Sequence, residues 1–218
     1  MNKTIVICSP GNSFPGKFLV SLTHLIKHLS NKGFTVKLCT TYSRNIYEVR
    51  NKCLLGKPED GEDQKLFDGL EYDYILWLDD DVVFSADDFD KLYKEDMDVI
   101  SGLYLMSDNT HFAAVELWDE EYFKSNGSFE FLHKTDISTR LLPFKVEYVG
   151  FGFLLIKKGV FEQISYPWFE PTYLEIRDCK DFSMEDVTLC LKLSKLNIPI
   201  HVHPEVVVGH YKQIELRI

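Results

Sequence analysis

The sequence predicts an α/β fold with a mainly parallel central sheet flanked by helices, and three stretches predict it. The chain opens as strand, helix and strand, at Thr4 to Cys8, Lys17 to Asn31 and Phe34 to Cys39. A βαβ unit of this kind carries a parallel pair joined by a right-handed crossover. Tyr74-Ile75-Leu76-Trp77-Leu78 is an unbroken apolar run rich in aromatic and branched side chains, as in a parallel strand covered on both faces. Val146 to Ile156 reads as a further strand, and its Gly150 and Gly152 let another group approach the backbone closely. At 218 residues the chain is long enough for one sizeable core, so a single domain over 1–218 is expected.

Taken in order, Ser9-Pro10-Gly11-Asn12-Ser13 turns into the first helix. Phe18, Leu19, Leu22, Leu25, Ile26 and Leu29 mark the buried face of that helix at helical spacing, and Gly33 ends it. Ser43 is a suitable N-cap for a helix from Arg44 to Leu55 that Gly56 stops. Ile46, Val49 and Cys53 face inward there, while Arg50 and Asn51 lie near the rim and spacing alone makes Arg50 a solvated cation. Ser85 and Asp88 form a capping box opening a helix from Ala86 to Lys94, followed by a strand from Asp98 to Leu105. The pattern weakens from Ser107 to Leu142, where Ala113 to Trp118 and Phe129 to Lys134 read as short strands around a turn at Lys124 to Ser128. Tyr166-Pro167-Trp168-Phe169 is an aromatic turn, and Arg177 to Phe182 a polar, mobile loop. Ser183 caps a helix from Met184 to Leu196 in which Asp186 is the capping-box acid, a role that needs no chemistry. Val206 to Val208 is a last strand, left by Gly209-His210-Tyr211.

The stretch around which these elements gather is Asp79-Asp80-Asp81, at the end of the buried Tyr74 to Leu78 run. Aspartate is a poor strand residue, and three adjacent negative charges repel, so a cation is expected among them. The following helix already has its own cap in Ser85 and Asp88, which leaves the aspartates without a structural duty. Strand alternation would place Asp79 and Asp81 on one side and Asp80 on the other, so that the first and third converge on one ion. Oxygen ligands of this kind suit Mg²⁺, Mn²⁺ or Ca²⁺ rather than zinc. In a parallel sheet, ligands collect beyond the carboxyl ends of the strands, which brings together Ser9-Pro10-Gly11, Thr40-Thr41-Tyr42 and the aspartates.

The net charge of −10 argues against nucleic acid as a partner and, taken alone, against an anionic substrate; a bound divalent cation resolves the second conflict locally. Five cysteines with no CxxC pair fit buried free thiols in a reducing compartment. The first apolar run is too short for a signal peptide and no run approaches a membrane span, so a cytoplasmic protein, of the host cell if the source is viral, is expected. The Asn126-Gly127-Ser128 sequon is then coincidental.

The βαβ opening, the Asp79-Asp80-Asp81 run, Val149-Gly150-Phe151-Gly152-Phe153, Met184-Glu185-Asp186-Val187 and Gly209-His210 come in an order that resembles glycosyltransferases of the GT-A fold, most of all the small stand-alone enzymes of large DNA viruses and phages. The resemblance covers nearly the whole chain. It implies a nucleotide-sugar-binding half over 1–105, an acceptor-binding half over 106–218, and transfer of a hexose from a nucleotide sugar, a UDP-sugar first, to a hydroxyl on a glycan or other acceptor. Asp79 and Asp81 match the DxD motif, Asp81 on the metal and Asp79 on the ribose or the ion, and His210 matches the late histidine of the metal shell. Ser9 and Pro10 match the loop that holds the base, and Arg50 with Asn51 an Arg-Asn pair near the nucleotide. Asp80, Gly150 and Gly152 belong with the same donor site. Glu185-Asp186 matches the acidic pair near the acceptor, Asp186 being the general base of an inverting enzyme. Two carboxylates and an imidazole favour Mn²⁺ somewhat over Mg²⁺.

Three other readings compete. A haloacid-dehalogenase-type phosphohydrolase would use Asp79 as nucleophile, although its Asp strand normally opens the core and here a complete βαβ unit precedes it. A nucleotidyltransferase lacks its Gly-rich, Arg-containing loop, because Ser9-Pro10-Gly11-Asn12 has one glycine. A catalytically silent sugar-binding module would retain the fold and lose the chemistry.

Overall fold

The structure is a computed structural model and describes residues 2–176 and 179–212. Strand β1 (Thr4–Cys8), helix α1 (Gly16–Asn31) and strand β2 (Thr35–Cys39) form the expected parallel unit, with Val6 opposite Lys37. After helix α2 (Ile46–Cys53), strand β3 (Tyr74–Leu78) takes the other side of β1, also in parallel. The chain then makes β4 (Val82–Val83), α3 (Ala86–Lys94), β5 (Val99–Leu103), β6 (His111–Val115), α4 (Glu120–Asn126) and β7 (Phe131–His133). It continues through β8 (Phe144–Val146), β9 (Tyr148–Val149), β10 (Phe153–Lys157), β11 (Tyr173–Ile176), β12 (Cys179–Phe182), α5 (Glu185–Lys195), β13 (Ile200–Val207) and β14 (Gly209–His210).

The seven-stranded sheet has the order β2-β1-β3-β10-β5-β13-β8. β10 and β8 run against the other five strands, so the sheet is mainly parallel with two reversed members. Alternation divides β1 between two cores: Ile5 and Ile7 pack with Phe18, Leu22 and Phe89 from α1 and α3, while Val6 and Cys8 pack with Trp77, Phe151 and Leu189 on the opposite face. Every residue of β3 is buried, as its unbroken apolar composition requires. Three smaller sheets accompany the main one among the described residues, one of them β11 with β12. β14 pairs with β4, and β9, β6 and β7 form a three-stranded layer.

Several local expectations are corrected. Leu19 is 46% exposed rather than part of the buried face of α1. α2 starts at Ile46, capped by the Asn45 side chain, because the Ser43 hydroxyl donates instead to Glu48. α5 has Met184 at its N-cap with no side-chain cap; the Ser183 hydroxyl is held by Thr188 and by the Thr172 amide. Lys124 to Ser128 is not a turn between strands but mostly the end of α4, which Asp119 caps and Gly127 closes at φ +73°. The single strand expected over Val146 to Ile156 is three short ones, β8, β9 and β10, turned at residues 150–152. Of the loop from Arg177 to Phe182, Arg177 and Asp178 lie outside the described residues, and the rest is β12, paired with β11. Cys8, Cys39, Cys53 and Cys190 are free thiols. Among the described residues no helix is long and apolar enough to cross a membrane.

Candidate active site

β3 ends at Leu78, and the aspartates that follow occupy a turn rather than a continuing strand. Strand alternation therefore does not govern them, and Asp79 and Asp81 diverge instead of meeting on one ion. Asp79 Oδ1 accepts from Arg50 Nη2 at 2.9 Å, and Arg50 Nε reaches Glu185 Oε1 at 3.3 Å. Arg50 is 3% exposed, its guanidinium lying 5.1 Å from the Trp77 ring centroid and 5.4 Å from that of Phe151. The solvated cation expected from spacing is thus a buried one. Burial disfavours its charge, but the Asp79, Glu185 and Asp186 carboxylates outweigh that cost and raise its pKa. Arg50 Nη1 is buried without a protein partner.

Asp81 turns the other way, to the C-terminal segment. Pairing of β14 with β4 sets His210 opposite Val82, so His210 Nε2 comes within 3.2 Å of Asp81 Oδ2 and Lys212 Nζ within 2.7 Å of the same oxygen. The Tyr211 amide donates to the Asp81 carbonyl at 2.7 Å. Burial opposes ionisation of Asp81, yet the hydrogen bonds from His210 and Lys212 win and its pKa falls. Asp81 in turn raises the pKa of His210. His210 Nδ1 lies 2.7 Å from the Leu105 carbonyl, an acceptor only, so Nδ1 carries a hydrogen; Nε2 donates to Asp81 while the ring is charged, and loss of that second proton leaves the Nδ1–H form with its Nε2 lone pair free for a ligand. That is the tautomer of a metal-binding histidine whose outer nitrogen is fixed by a carbonyl. Among the described residues no three His, Cys, Asp or Glu side chains enclose a metal site by themselves. Asp81 and His210 fit a divalent ion as a pair, one oxygen and one nitrogen ligand, leaving the remaining positions to a substrate and water.

These groups line one cavity of about 490 Å³, together with Pro10, Gly11, Asn12, Ser13, Tyr42, Ser43 and Tyr104. Asp80 faces Gly11, where a Cβ would stand 2.7 Å from Asp80 Oδ2. Burial and the two neighbouring aspartates raise the Asp80 pKa. Ser9 does not reach the cavity: it is buried behind Pro10, its amide bonded to the Cys39 carbonyl. Asn51 is likewise spent on structure, donating to the Tyr47 and Phe169 carbonyls and accepting from the Phe169 amide. A Cβ at Gly150 or Gly152 would fall on the Tyr104 ring. The close approach these glycines permit is therefore that of Tyr104, which packs edge-on against His210 at 5.0 Å.

Glu185, at the first turn of α5, also lines a second cavity of about 570 Å³, whose other walls include Trp118, Phe129, Phe131, Tyr148 and Phe182. Asp186 lines it as well. Its Oδ2 accepts from the Tyr148 hydroxyl at 2.8 Å and its Oδ1 from the Val187 amide at 2.7 Å. With no Ser183 cap, the capping-box reading of Asp186 falls away. A helix N-terminus favours an ionised carboxylate, yet burial prevails and raises the Asp186 pKa against the hydrogen bond from Tyr148, and the Glu185 pKa is raised by burial too. The sequence reading missed Lys212, Tyr104 and Tyr148. Lys212 had a signal, since i and i+2 share a side in extended chain; the two tyrosines had none.

No protein-family model and no curated protein sequence matches the chain. Solved structures do. A197 from STIV shares 18% identity with a TM-score of 0.51, over 99% of this chain and 97% of that one. GalNAc-T7 with UDP, GalNAc and Mn²⁺ gives 11% identity and a TM-score of 0.59 over 98% of this chain, which spans 44% of that structure. The catalytic domain of Drosophila β1,4-galactosyltransferase 7 with xylobiose gives 11% and 0.51, covering 98% and 72%. At such identities the likeness defines the fold: the chain has the GT-A fold.

Proposed function

We propose that the protein is a divalent-metal-dependent glycosyltransferase that moves a sugar from a nucleotide donor, a UDP-sugar first, to a hydroxyl acceptor. The observation that carries this reading is the meeting of Asp81 with a tautomer-fixed His210 in a cavity that shares Glu185 with a second cavity holding Asp186. The GT-A fold adds support, as do the UDP and Mn²⁺ held by GalNAc-T7. Asp81 and His210 Nε2 hold the ion, Mn²⁺ before Mg²⁺ on the nitrogen ligand. When bound, it supplies Lewis-acid stabilisation of the departing diphosphate.

The chain's own residues do the rest. Pro10 to Ser13 and Tyr42 border the nucleotide, and Lys212 Nζ, released from Asp81, lies in the same cavity and offers a cation to the phosphates. Arg50 fixes Asp79 on the donor side and Glu185 on the acceptor side through one buried guanidinium. Asp186 takes the acceptor hydroxyl proton, and its raised pKa makes it a stronger base than an exposed aspartate. The Tyr148 hydroxyl holds that carboxylate in place. A base in a cavity separate from the donor's suits direct displacement with inversion. The two halves of the chain then share the work unevenly, since the donor cavity draws Glu185, His210 and Lys212 from the second half. The ion pair from Arg50 to Asp79 Oδ1 lowers the nucleophilicity of that carboxylate and argues against a phosphohydrolase role for it.

Asp81→Ala tests the reading: Mn²⁺-stimulated hydrolysis of a UDP-sugar, and transfer from it, should be lost. A fully active variant would refute it, and tight UDP binding by the unaltered protein with no turnover of any UDP-sugar would return the silent-module reading.

A further inference from the structure

The cavity at Asp186 is walled mainly by rings and aliphatic side chains. Phe129, Trp118, Tyr148 and Phe131 follow one another in ring contact, at centroid distances of 4.3, 5.9 and 6.2 Å. Phe182 and Met184 bound the cavity as well, both largely exposed to solvent. Among the described residues no Asn, Gln, Arg, His or Thr side chain lines this cavity. Its polar groups among the described residues are Lys180, Asp181, Ser183, Glu185, Asp186, the Tyr148 hydroxyl and Trp118 Nε1, the last buried without a partner. Ser183 is taken by Thr188 and Thr172, Glu185 by Arg50, and the Tyr148 hydroxyl by Asp186. A polyhydroxylated ring would lose water along these walls and regain few hydrogen bonds, which is costly. Among the described residues Asp181 and Asp186 outweigh Lys180 in charge, which disfavours a phosphate or carboxylate.

We infer that the acceptor is an uncharged alcohol whose hydroxyl is carried directly on an apolar, aromatic-sized body. The inference rests on the transfer reading above, because it takes the occupant of this cavity to be the molecule that gives its proton to Asp186. Tyr148 unites the two requirements, its ring forming apolar wall and its hydroxyl orienting the base. A cavity of about 570 Å³ matches a small molecule held largely inside it.

The test is a titration of the unaltered protein, with UDP and Mn²⁺ present, by 2-naphthalenemethanol, methyl glucoside, maltose and a phosphorylated aryl alcohol, followed by tryptophan fluorescence and by calorimetry. The aryl alcohol should bind saturably and at least about 10-fold more tightly than either saccharide, and phosphorylation should weaken it. It should also raise UDP release from UDP-sugars above the hydrolysis background. Phe182→Ser, at a side chain 63% exposed, should raise the KM for the aryl alcohol at least about 10-fold with little change in kcat. Saccharides binding as tightly as the aryl alcohol, or an unchanged KM in Phe182→Ser, would overturn the inference. The two readings fail separately. Aryl-alcohol binding without any UDP binding would sink sugar transfer and leave the aromatic slot standing, whereas Mn²⁺-dependent UDP binding with a preference for saccharides would do the reverse.

Discussion

The donor-side cavity and the aromatic slot share Ile46 and Glu185 along a common wall, yet they are built from different side chains. The first is lined by Asn12, Ser13, Tyr42, three aspartates, His210 and Lys212, and the second mainly by rings and aliphatic groups, with Lys180, Asp181, Glu185 and Asp186 as its charged members. On the proposed function the difference follows from what each would hold. A nucleoside diphosphate carries charge and needs cations and donors placed around it, whereas an acceptor contributes one hydroxyl and needs only a base and a shape. Arg50 stands where the two meet and holds one carboxylate of each. The buried cation therefore sits in the wall of the donor-side cavity, at its border with the slot.

That division can be broken from either side. The largest effect is expected for Asp186→Asn, which should cut transfer about 1,000-fold while leaving Mn²⁺-dependent UDP binding in place; an equal loss of UDP binding, measured by calorimetry, would show that the cavities are not separable. Asp81→Ala should do the opposite, weakening Mn²⁺ binding about 100-fold or more as measured by competition with a chelating dye, and leaving aryl-alcohol binding to the slot intact. Arg50→Met removes the link and leaves Asp79 and Glu185 without their shared cation. Because breaking a buried ion pair from one side strands the partner charge, a loss of about 3–5 kcal/mol is expected in urea denaturation.

Two smaller effects sharpen the comparison. The Tyr148 hydrogen bond favours the ionised form of Asp186 and so opposes the rise that burial causes. Tyr148→Phe removes that opposition and raises the Asp186 pKa further, so the acid limb of the kcat/KM pH profile should move to higher pH; a shift to lower pH would contradict the assignment. Lys212 competes with a metal for Asp81 in the absence of donor. As a half-exposed pair it is worth at most about 1 kcal/mol, so Lys212→Ala should tighten Mn²⁺ binding to the nucleotide-free protein by no more than about 5-fold.

Much of the donor side was legible in the sequence because it depends on local rules. The βαβ opening, the buried Tyr74 to Leu78 strand and the Ser85-Asp88 capping box all stand where spacing put them. Arg50 was not legible, since its burial comes from Asp79, Glu185, Trp77 and Phe151, which lie far from it in sequence. Asn51 beside it turned inward to hold the Phe169 loop. The slot was hidden for a related reason. Trp118, Phe129, Phe131 and Tyr148 come from four short segments of the weakly patterned region and its border, and only the pairing of β6 with β7 and β9 brings them side by side. Asp186 was placed correctly on its helix but for a local reason that failed, because Ser183 caps nothing.

The central claim is that Asp81 and His210 hold a divalent ion against a nucleoside diphosphate, and calorimetric titration of UDP with Mn²⁺ and then with excess EDTA tests it most directly. The account predicts saturable binding with Mn²⁺ that weakens at least about 10-fold in EDTA and shows no Mn²⁺ dependence in Asp81→Ala. UDP binding of equal strength in EDTA, or an Asp81→Ala protein that keeps its Mn²⁺ response, would contradict it.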